Sequence, residues 1–482
     1  MKNAHLIIAI LALSLLAACA PSSPEAAATT EGDSPFYLVS VPADATATPT
    51  PFRPVAAGAA DGQQAQATAT LSDVQSSATP FPSPTTASEA QPTPAIVTTA
   101  QPVLDAPESV TFLLLGSDSR GGASFRTDTI MVVAVRPHDG QVSLISIPRD
   151  LWVNIPTVGM QRINTAYQYG QYSDYPGGGP GLLKDTILFN LGLQIDHTAL
   201  VDFDGFRRIV NTLGGVDVPI SCPYTDWRLL DQTLDPEDAN NWTLYTAGPG
   251  LVHMDGDLAL WYARSRKKSN DFDRGRRQQE VMRSLYAQAL SANLISRIPQ
   301  LYGDLSGTVT TDLGLGDILG LAPLAGHLTN AEIRSYYVAG NLVTGWITPG
   351  GADVLLPNTT AIQAMLKEAL AASPRQQQRN AIKVEIQNGS SIDGLDTLAA
   401  QRLNYAGYAT TIHSADNRQH RQTLLYDLTP GQDRNSSAAL LAVLGLPDLA
   451  LVSAPSNNSQ SAYALIVGDD YHPCFDPHGL AP

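Results

Sequence analysis

The order of apolar and polar residues separates a polar first part of the chain from two regions that predict alternating strands and helices. In the larger region, short apolar runs bounded by Gly, Pro or Asp predict strands, and apolar residues spaced three or four apart predict helices. The predicted strands lie at 110–115, 130–135, 142–147 and 216–218, and the predicted helices at 181–191, 203–213 and 278–294. This order predicts a layered α/β domain over residues 106–372.

A smaller unit follows a Gln- and Arg-rich break at 373–380, which we interpret as a linker. Predicted strands and helices alternate again, with strands at 382–386, 408–412, 424–428 and 462–467 and helices at 395–405 and 437–444. A unit of about 90 residues is near the lower end of domain sizes. We therefore predict a small C-terminal α/β domain over residues 381–470, followed by a tail at 471–482.

The first 19 residues have the features of a bacterial export signal. Lys2 precedes an apolar run at 6–18, which is shorter than the roughly 20 residues that a membrane-spanning helix needs. The run ends in Leu16-Ala17-Ala18-Cys19, and small residues before a cysteine resemble the lipobox of bacterial lipoproteins. We interpret Cys19 as a lipidation site that anchors the protein to the outer face of the cytoplasmic membrane. An ordinary signal peptide that contains a cysteine is the alternative.

Residues 20–105 are dense in Ala, Thr, Ser and Pro, and Arg53 is the one basic residue among them. So few large apolar groups cannot offset the entropy that folding costs, which predicts a disordered linker between the anchor and the folded part.

Two further cysteines, Cys222 and Cys474, lie far apart in the sequence. Export would allow them to pair, but the sequence leaves pairing and separate burial equally open.

Charge is distributed unevenly along the chain. The formal net charge is −16, which argues against nucleic-acid binding because that function needs a basic surface. Basic residues are nevertheless concentrated between positions 264 and 283, at Arg264, Arg266, Lys267, Lys268, Arg274, Arg276, Arg277 and Arg283. Converging guanidinium groups suit a diphosphate. A solvated helix face with ion pairs to Asp271, Asp273 and Glu280 is the alternative.

Arginine and aspartate residues also lie where predicted strands begin or end. Gly116-Ser117-Asp118 follows the first strand, Arg126-Thr127-Asp128 precedes the second, and Pro148-Arg149-Asp150 follows the third. Open α/β sheets bind ligands at strand ends, and paired carboxylates near phosphates suit a divalent cation. For any single motif, a local ion pair in a loop is the alternative.

Several short motifs, taken in order, resemble the LytR-CpsA-Psr family over about residues 108–372. They are Phe112-Leu113-Leu114-Leu115-Gly116-Ser117-Asp118, Arg126-Thr127-Asp128-Thr129-Ile130-Met131, Ser146-Ile147-Pro148-Arg149-Asp150, Arg162-Ile163-Asn164-Thr165-Ala166-Tyr167, Asp202-Phe203-Asp204-Gly205-Phe206, Leu213-Gly214-Gly215-Val216-Asp217-Val218, Tyr262-Ala263-Arg264-Ser265-Arg266, Asp271-Phe272-Asp273-Arg274 and Arg277-Gln278-Gln279. The segment Val384-Glu385-Ile386-Gln387-Asn388-Gly389-Ser390 is similar to the small C-terminal domain often joined to these proteins. The resemblance implies a central mixed sheet flanked by helices.

The resemblance also implies roles for particular residues. A lipid pyrophosphate would be bound by Arg126, Arg149, Arg264, Arg266, Asp271, Arg274 and Gln278. Mg²⁺ would bind Asp118 and Asp128 beside that pyrophosphate, and the catalytic set would be Asp118, Asp128, Arg149 and Arg266. The polyprenyl chain would lie in an apolar cavity lined by segments such as 182–191 and 203–213. An ordinary core is the alternative for both segments.

The implied reaction transfers a glycopolymer from a polyprenyl (undecaprenyl) pyrophosphate carrier to peptidoglycan, through a phosphodiester link. Two other functions use the same residues: a protein that binds polyprenyl lipids or glycans without catalysis, and a pyrophosphatase that uses water as the acceptor. A transcription regulator is a third class. The export signal and the acidic charge argue against it, and no DNA-reading motif is recognisable in the sequence.

Overall fold

The computed structural model describes two α/β domains in the second part of the chain. The described residues are 99–117, 126–231, 233–266, 271–291, 299, 302, 307–320, 328, 332–429, 434–456 and 459–474. Cys19, Asp118, Lys267 and Lys268, together with nearly all of the 20–105 segment, lie outside this set. Among the described residues, no helix is both long enough and apolar enough to cross a bilayer.

The larger domain is built on a mixed sheet of six strands in the order β11-β6-β1-β2-β3-β12. Its strands are β1 (Val110–Ser117), β2 (Thr127–Arg136), β3 (Gln141–Ile147), β6 (His197–Asp202), β11 (Val309–Thr311) and β12 (Ile333–Tyr337). Strand β1 runs parallel to β6 and antiparallel to β2, and β3 runs parallel to β12. The ends of β1, β3, β6 and β12 and the beginning of β2 therefore share one edge of the sheet.

Four short two-stranded ribbons accompany this sheet among the described residues. They pair β4 (Trp152–Ile155) with β5 (Gly159–Arg162), β7 (Val216–Ile220) with β10 (Gly250–Met254), β8 (Tyr224–Leu229) with β9 (Trp242–Ala247), and β13 (Val343–Ile347) with β14 (Asp353–Pro357). Of these strands, the sequence predicted only the one that begins at Val216. Short edge ribbons have weak periodicity, which explains why the others were missed.

Helices cover both faces of the six-stranded sheet. One face carries α1 (Ala166–Tyr172), α2 (Gly178–Leu191) and α7 (Thr359–Leu370), and the other carries α3 (Phe203–Thr212), α4 (Gly256–Arg264) and α5 (Asp271–Ser291), while the short α6 (Leu315–Leu319) follows β11. Alternate residues of β1 point to opposite faces, with Phe112 and Leu114 on the α3–α5 face and Leu113 and Leu115 on the α2 face. Aspartate caps begin α3 and α4, because Asp202 and Asp255 accept from backbone N–H groups of the first turn.

Helix α5 begins at Asp271, seven residues before the predicted start at 278. The early residues of this helix are charged, so they lack the apolar spacing on which the prediction depended. This correction matters for the site, because Asp271, Arg274 and Gln278 follow one another at helical spacing and lie along one face.

The C-terminal domain is a five-stranded sheet in the order β16-β15-β19-β17-β18 with helices packed against it. Its elements are β15 (Lys383–Asn388), α9 (Leu395–Tyr405), β16 (Ala409–His413), β17 (Leu424–Asp427), α10 (Arg434–Leu444), β18 (Leu451–Ser453) and β19 (Tyr463–Val467). The predicted linker at 373–380 contains a helix, α8 (Pro374–Asn380), whose first turn is capped by the hydroxyl of Ser373. Proline at the first helical position is compatible with this start.

Cys222 and Cys474 form a disulfide, with their Cα atoms 4.5 Å apart. Cys222 follows β7 in the larger domain and Cys474 follows the last strand of the C-terminal domain. The bond therefore joins the two domains covalently and decides between the two alternatives that the sequence left open.

Candidate phosphate pocket and apolar cavity

Helix α5 lies over the shared edge of the sheet, where β3 and β12 end. Gly275 permits close approach, because a Cβ at this position would lie 3.3 Å from the Cβ of Ser146 on β3. One turn later, the side-chain amide of Gln279 donates to the hydroxyl of Ser146 at 2.9 Å and to the carbonyl oxygen of Tyr336 at 3.1 Å. These contacts determine how closely the helix approaches the ends of β3 and β12.

Arg149 is the centre of the charged cluster at this edge. Its guanidinium donates to Asp128 at 2.8 Å and lies 3.5 Å from Asp150 and 3.8 Å from Asp271. Burial lowers the pKa of Arg149, but the three carboxylates outweigh burial, so that its pKa is raised overall. Residues from three separate segments of the chain therefore meet around one guanidinium group.

Two further arginines converge on Asp271 from the other side. Arg266 Nη1 lies 3.2 Å from one carboxylate oxygen of Asp271, and Arg274 Nη2 lies 3.2 Å from the other. Arg274 also donates to the carbonyl oxygen of Asp128 at 3.3 Å. Burial, together with the charges of Arg149 and Arg266, lowers the pKa of Arg274 to about 10, against the opposing effect of Asp271. Arg274, Asp128 and Asp271 line a polar pocket with about 330 Å³ of empty space, and Arg149 and Arg266 lie next to it through their contacts with the two aspartates.

An apolar cavity adjoins this pocket on the α3–α5 side of the sheet. It has about 750 Å³ of empty space, including its open mouth. Its walls include Leu114, Met131, Val201, Phe203, Phe206, Val281 and Met282. Gln278 borders both spaces, and its amide donates to Thr129 at 2.9 Å and to the carbonyl oxygen of Ala263 at 3.2 Å. The polar pocket and the apolar cavity thus share Gln278 as a lining residue.

Of the two segments that were expected to line an apolar cavity, only 203–213 borders this one. Helix α3 supplies Phe203 and Phe206 to the cavity. In contrast, Leu182, Leu183, Ile187 and Leu191 of α2 have no exposed surface and pack into the core on the opposite face of the sheet. Both helices are apolar on one side, and the sequence does not say which face of the sheet each helix covers.

The structure brings together Asp128, Arg149, Arg266, Asp271 and Arg274, all of which the sequence singled out. Arg264 ends α4 at the cavity wall instead, with its guanidinium 3.9 Å from the ring centroid of Phe203. Arg126 is exposed directly before β2, at the same edge of the sheet. Asp118 lies outside the described residues, so no contact can be assigned to it. Within the described residues, no group of three or more His, Cys, Asp or Glu side chains is arranged to bind a metal ion.

Arg276 and Arg277 of the basic cluster have a structural role. Arg276 forms ion pairs with Asp273 and Glu280 within α5, as the alternative interpretation expected. Arg277 is fully buried, donates to the carbonyl oxygens of Tyr262 and Ser265, and lies 4.0 Å from the ring centroid of Tyr224. Arg276 therefore matches the interpretation as a helix face with ion pairs, whereas Arg277 is part of the core.

Two residues near the pocket were not assigned from the sequence. Asp150 bridges Arg149 to Arg162, whose Nε lies 3.1 Å from the Asp150 carboxylate. Arg162 also donates to the carbonyl oxygen of Asp353, which joins β5 to the β13–β14 ribbon. Both residues lie within motifs that carry the family resemblance, and these motifs could have indicated both residues from the sequence.

Comparison with known protein families agrees with the geometry. A model described as the LytR_cpsA_psr family matches residues 71–371. The chain belongs to this family. A second model, described as LytR cell envelope-related transcriptional attenuator, matches residues 381–471, which contain the C-terminal domain.

Relatives of this LytR_cpsA_psr protein include curated proteins and solved structures. A protein of Oceanobacillus iheyensis named polyisoprenyl-teichoic acid--peptidoglycan teichoic acid transferase TagU is 30% identical over 235 residues, 48% of this chain and 68% of that protein. Regulatory protein MsrR of Staphylococcus aureus is 32% identical over 205 residues, 42% of this chain and 56% of that protein. The crystal structure of B. subtilis TagV is 26% identical, covers 56% of this chain and 100% of that chain, and has a TM-score of 0.44. The chain thus spans between about half and two thirds of these two curated relatives.

Proposed function

We propose that this protein is a phosphotransferase that moves a glycopolymer from a polyprenyl pyrophosphate carrier to peptidoglycan. The observation that carries the proposal is that Gln278 lines both an apolar cavity and a polar pocket, and that three arginines gather on the aspartates of that pocket. A ligand with a diphosphate head and a long apolar tail would fill both spaces. The names of the curated relatives, which describe transfer of teichoic acid to peptidoglycan, support this class of reaction.

In the proposed reaction, a peptidoglycan hydroxyl oxygen attacks the phosphorus that carries the glycopolymer. A bond forms between that oxygen and phosphorus, and the bond to the bridging oxygen of the pyrophosphate breaks. Polyprenyl phosphate leaves, and the proton of the attacking hydroxyl is released. Phosphoryl transfer of this kind depends mainly on positioning and on neutralising charge on the phosphate oxygens.

The pocket residues suit this demand for charge neutralisation. Arg149, Arg266 and Arg274 are now balanced by the carboxylates of Asp128, Asp150 and Asp271. A bound pyrophosphate would exchange carboxylate oxygens for phosphate oxygens around the same guanidinium groups. Arginine is suited to this exchange because its planar fork binds either partner in pairs of hydrogen bonds.

Mg²⁺ is part of the proposal, with Asp128 and Asp118 as its protein ligands. The Asp128 side chain is 29% exposed, accepts from Arg149 through Oδ1 and lines the pocket, so it brings a hard oxygen ligand to this site. When bound, Mg²⁺ would neutralise part of the charge on the phosphate oxygens. We expect the substitution Asp128→Asn to reduce transfer on the order of a hundred-fold, and a chelator to reduce transfer by the wild type to the same extent. Added Mg²⁺ should restore transfer by the chelated wild type but should not restore transfer by Asp128→Asn.

The decisive experiment is a transfer assay with a lipid-linked glycopolymer and peptidoglycan, in which attached polymer and released polyprenyl phosphate are measured separately. We expect Arg149→Ala and Arg266→Ala to lower attachment by roughly a hundred- to a thousand-fold, because each removes a charge that stabilises the transition state. Arg418→Ala is the matched control, since Arg418 pairs with Asp393 on the surface of the C-terminal domain. Full attachment by both pocket variants would disprove the assignment.

The same assay separates the two other functions. A pyrophosphatase would release polyprenyl phosphate at the same rate with and without peptidoglycan, and no polymer would become attached. A non-catalytic binding protein would retain the lipid in its cavity and release nothing.

Lipid anchoring through Cys19 at the outer face of the cytoplasmic membrane completes the proposal. Metabolic labelling with a fatty acid that is lost in Cys19→Ala would test it.

A further inference from the structure

Helix α5 carries a second functional face, beside the one that borders the phosphate pocket. Gly275, Gln279 and Arg283 follow one another at intervals of four residues and face the sheet. Gly275 approaches Ser146, and Gln279 donates to Ser146 and to the carbonyl oxygen of Tyr336. Arg283 Nη2 donates to the carbonyl oxygen of Ile333 at 2.6 Å and to the hydroxyl of Ser335 at 3.0 Å. The last two contacts attach α5 to β12.

Arg283 is costly to bury, and the C-terminal domain adds to the hydrogen bonds that offset this cost. The residue is only 2% exposed, and burial lowers its pKa. Its guanidinium lies 4.2 Å from the ring centroid of Tyr405, at the end of α9. A cation over an aromatic face is stabilised more when it is desolvated, and here Arg283 is buried and Tyr405 is partly buried.

Helix α9 is attached to the larger domain along its length. It packs against β7, β10 and β12, and a Cβ on Gly394, which precedes the helix, would lie 3.8 Å from Leu251 of β10. Within the C-terminal domain, Arg402 of α9 donates to the carbonyl oxygen of Pro473 at 2.8 Å, and the neighbouring Cys474 is bonded to Cys222. The disulfide therefore closes the interface next to the helix that presents Tyr405.

The contact at Arg283 is connected to the pocket through β12. Ser335 and Ile333 accept from Arg283, and two residues beyond Ser335 the side chain of Tyr337 borders the phosphate pocket. A Cβ on Gly275 would lie 3.8 Å from the Tyr337 ring, so α5 packs closely against the end of β12 at the pocket. A shift of α5 along β12 would displace Asp271 and Arg274 with it, because a helix moves as a rigid element.

We infer that the C-terminal domain is a buttress for α5, and that Tyr405 is a positioning residue that holds the phosphate-binding face of this helix over the sheet edge. The positional part of the inference stands on the contacts of Arg283 and Tyr405. Its consequence for transfer rests on the proposed function. The two parts are therefore tested by separate measurements on the full chain.

The first measurement is amide hydrogen exchange in α5 of the protein without substrate. We expect Tyr405→Ala to speed exchange over 274–283 about ten-fold, because Arg283 loses the ring that offsets its burial. Tyr405→Phe retains the ring and should exchange as the wild type does. Ile412→Ala, at an exposed position on β16, controls for substitution within the same domain. Unchanged exchange in Tyr405→Ala, or equal acceleration in Tyr405→Phe, would overturn the inference.

The second measurement combines Tyr405→Ala with removal of the disulfide by Cys222→Ser and Cys474→Ser. The disulfide keeps α9 near α5 after the ring is lost. We therefore expect transfer by the combined variant to fall by more than the product of the fold-losses caused by each change alone. Transfer should fall about five-fold in Tyr405→Ala, remain unchanged in Tyr405→Phe and fall at least twenty-fold in the combined variant. Independent, multiplicative losses would contradict a shared interface.

The two measurements distinguish failure of the buttress from failure of the proposed function. If Tyr405→Ala speeds exchange in α5 but the wild type attaches no polymer, the buttress is supported and the transferase function is rejected. Loss of transfer without faster exchange would reject the buttress, because Tyr405 would then act by another route.

Discussion

Both faces of the central sheet are covered by helices, yet the packing beneath those helices differs. On the α2 face, Leu182, Leu183 and Ile187 are fully buried against alternate residues of β1, β2 and β3. On the α3–α5 face, Phe206 and Met282 are only partly buried and border a cavity of about 750 Å³. Strands with alternating apolar residues serve both faces equally. The α3–α5 face also contains a packed core, with Ile209, Val210 and Leu285 among its residues, and the cavity lies beside it.

The largest expected effect compares the loss of one large side chain on each face. Leu183→Ala should lower the free energy of unfolding by about 3 kcal/mol, since it leaves a void in a packed core. Phe206→Ala should lower it by about 1 kcal/mol or less, because this ring already borders empty space. Denaturant unfolding monitored by tryptophan fluorescence measures both. Similar losses would mean that the two faces are equally well packed.

A smaller effect comes from adding the same ring on each face. Ala263→Phe projects from α4 into the cavity and should weaken binding of polyprenyl phosphate on the order of ten-fold, while stability changes by less than about 1 kcal/mol. Ala166→Phe, on the fully buried start of α1, should instead cost about 2 kcal/mol of stability through overpacking. Lipid binding followed by fluorescence and denaturant unfolding separate the two outcomes. Undiminished binding by Ala263→Phe would place the lipid elsewhere.

The smallest effect concerns the approach of α5 to the sheet. In Gly275→Ala the new methyl group meets Ser146 at 3.3 Å, so the helix must shift by a few tenths of an ångström, and transfer should fall about three-fold. Gly316→Ala in α6 is the control, because nothing lies within 4 Å of its Cβ position. That change should leave transfer unaltered and stabilise the protein by roughly 0.5–1 kcal/mol. Full transfer by Gly275→Ala would show that the pocket tolerates this displacement.

Much of the fold was predictable because its signals are local. The strands at 110–115, 130–135 and 142–147 and the helices at 203–213 and 395–405 were predicted close to their observed bounds. The predicted start of α5 was wrong because its first turn is charged, and short ribbons such as β4–β5 escaped notice. Arg162 shows the consequence for the site, since its pairing with Asp150 depends on a ribbon that periodicity does not reveal.

The sequence by itself determined the order of strands and helices, the alternation of apolar residues between the faces of the sheet, and the family, through short motifs that need no tertiary contact. Only the tertiary structure decided that Arg149 meets Asp271, that Cys222 meets Cys474, and that α3, and not α2, borders the cavity. The physical reason is that periodicity describes which side of an element is apolar. Which surface that side meets depends on strand order and helix placement, and these are set by contacts between residues that are distant in the chain.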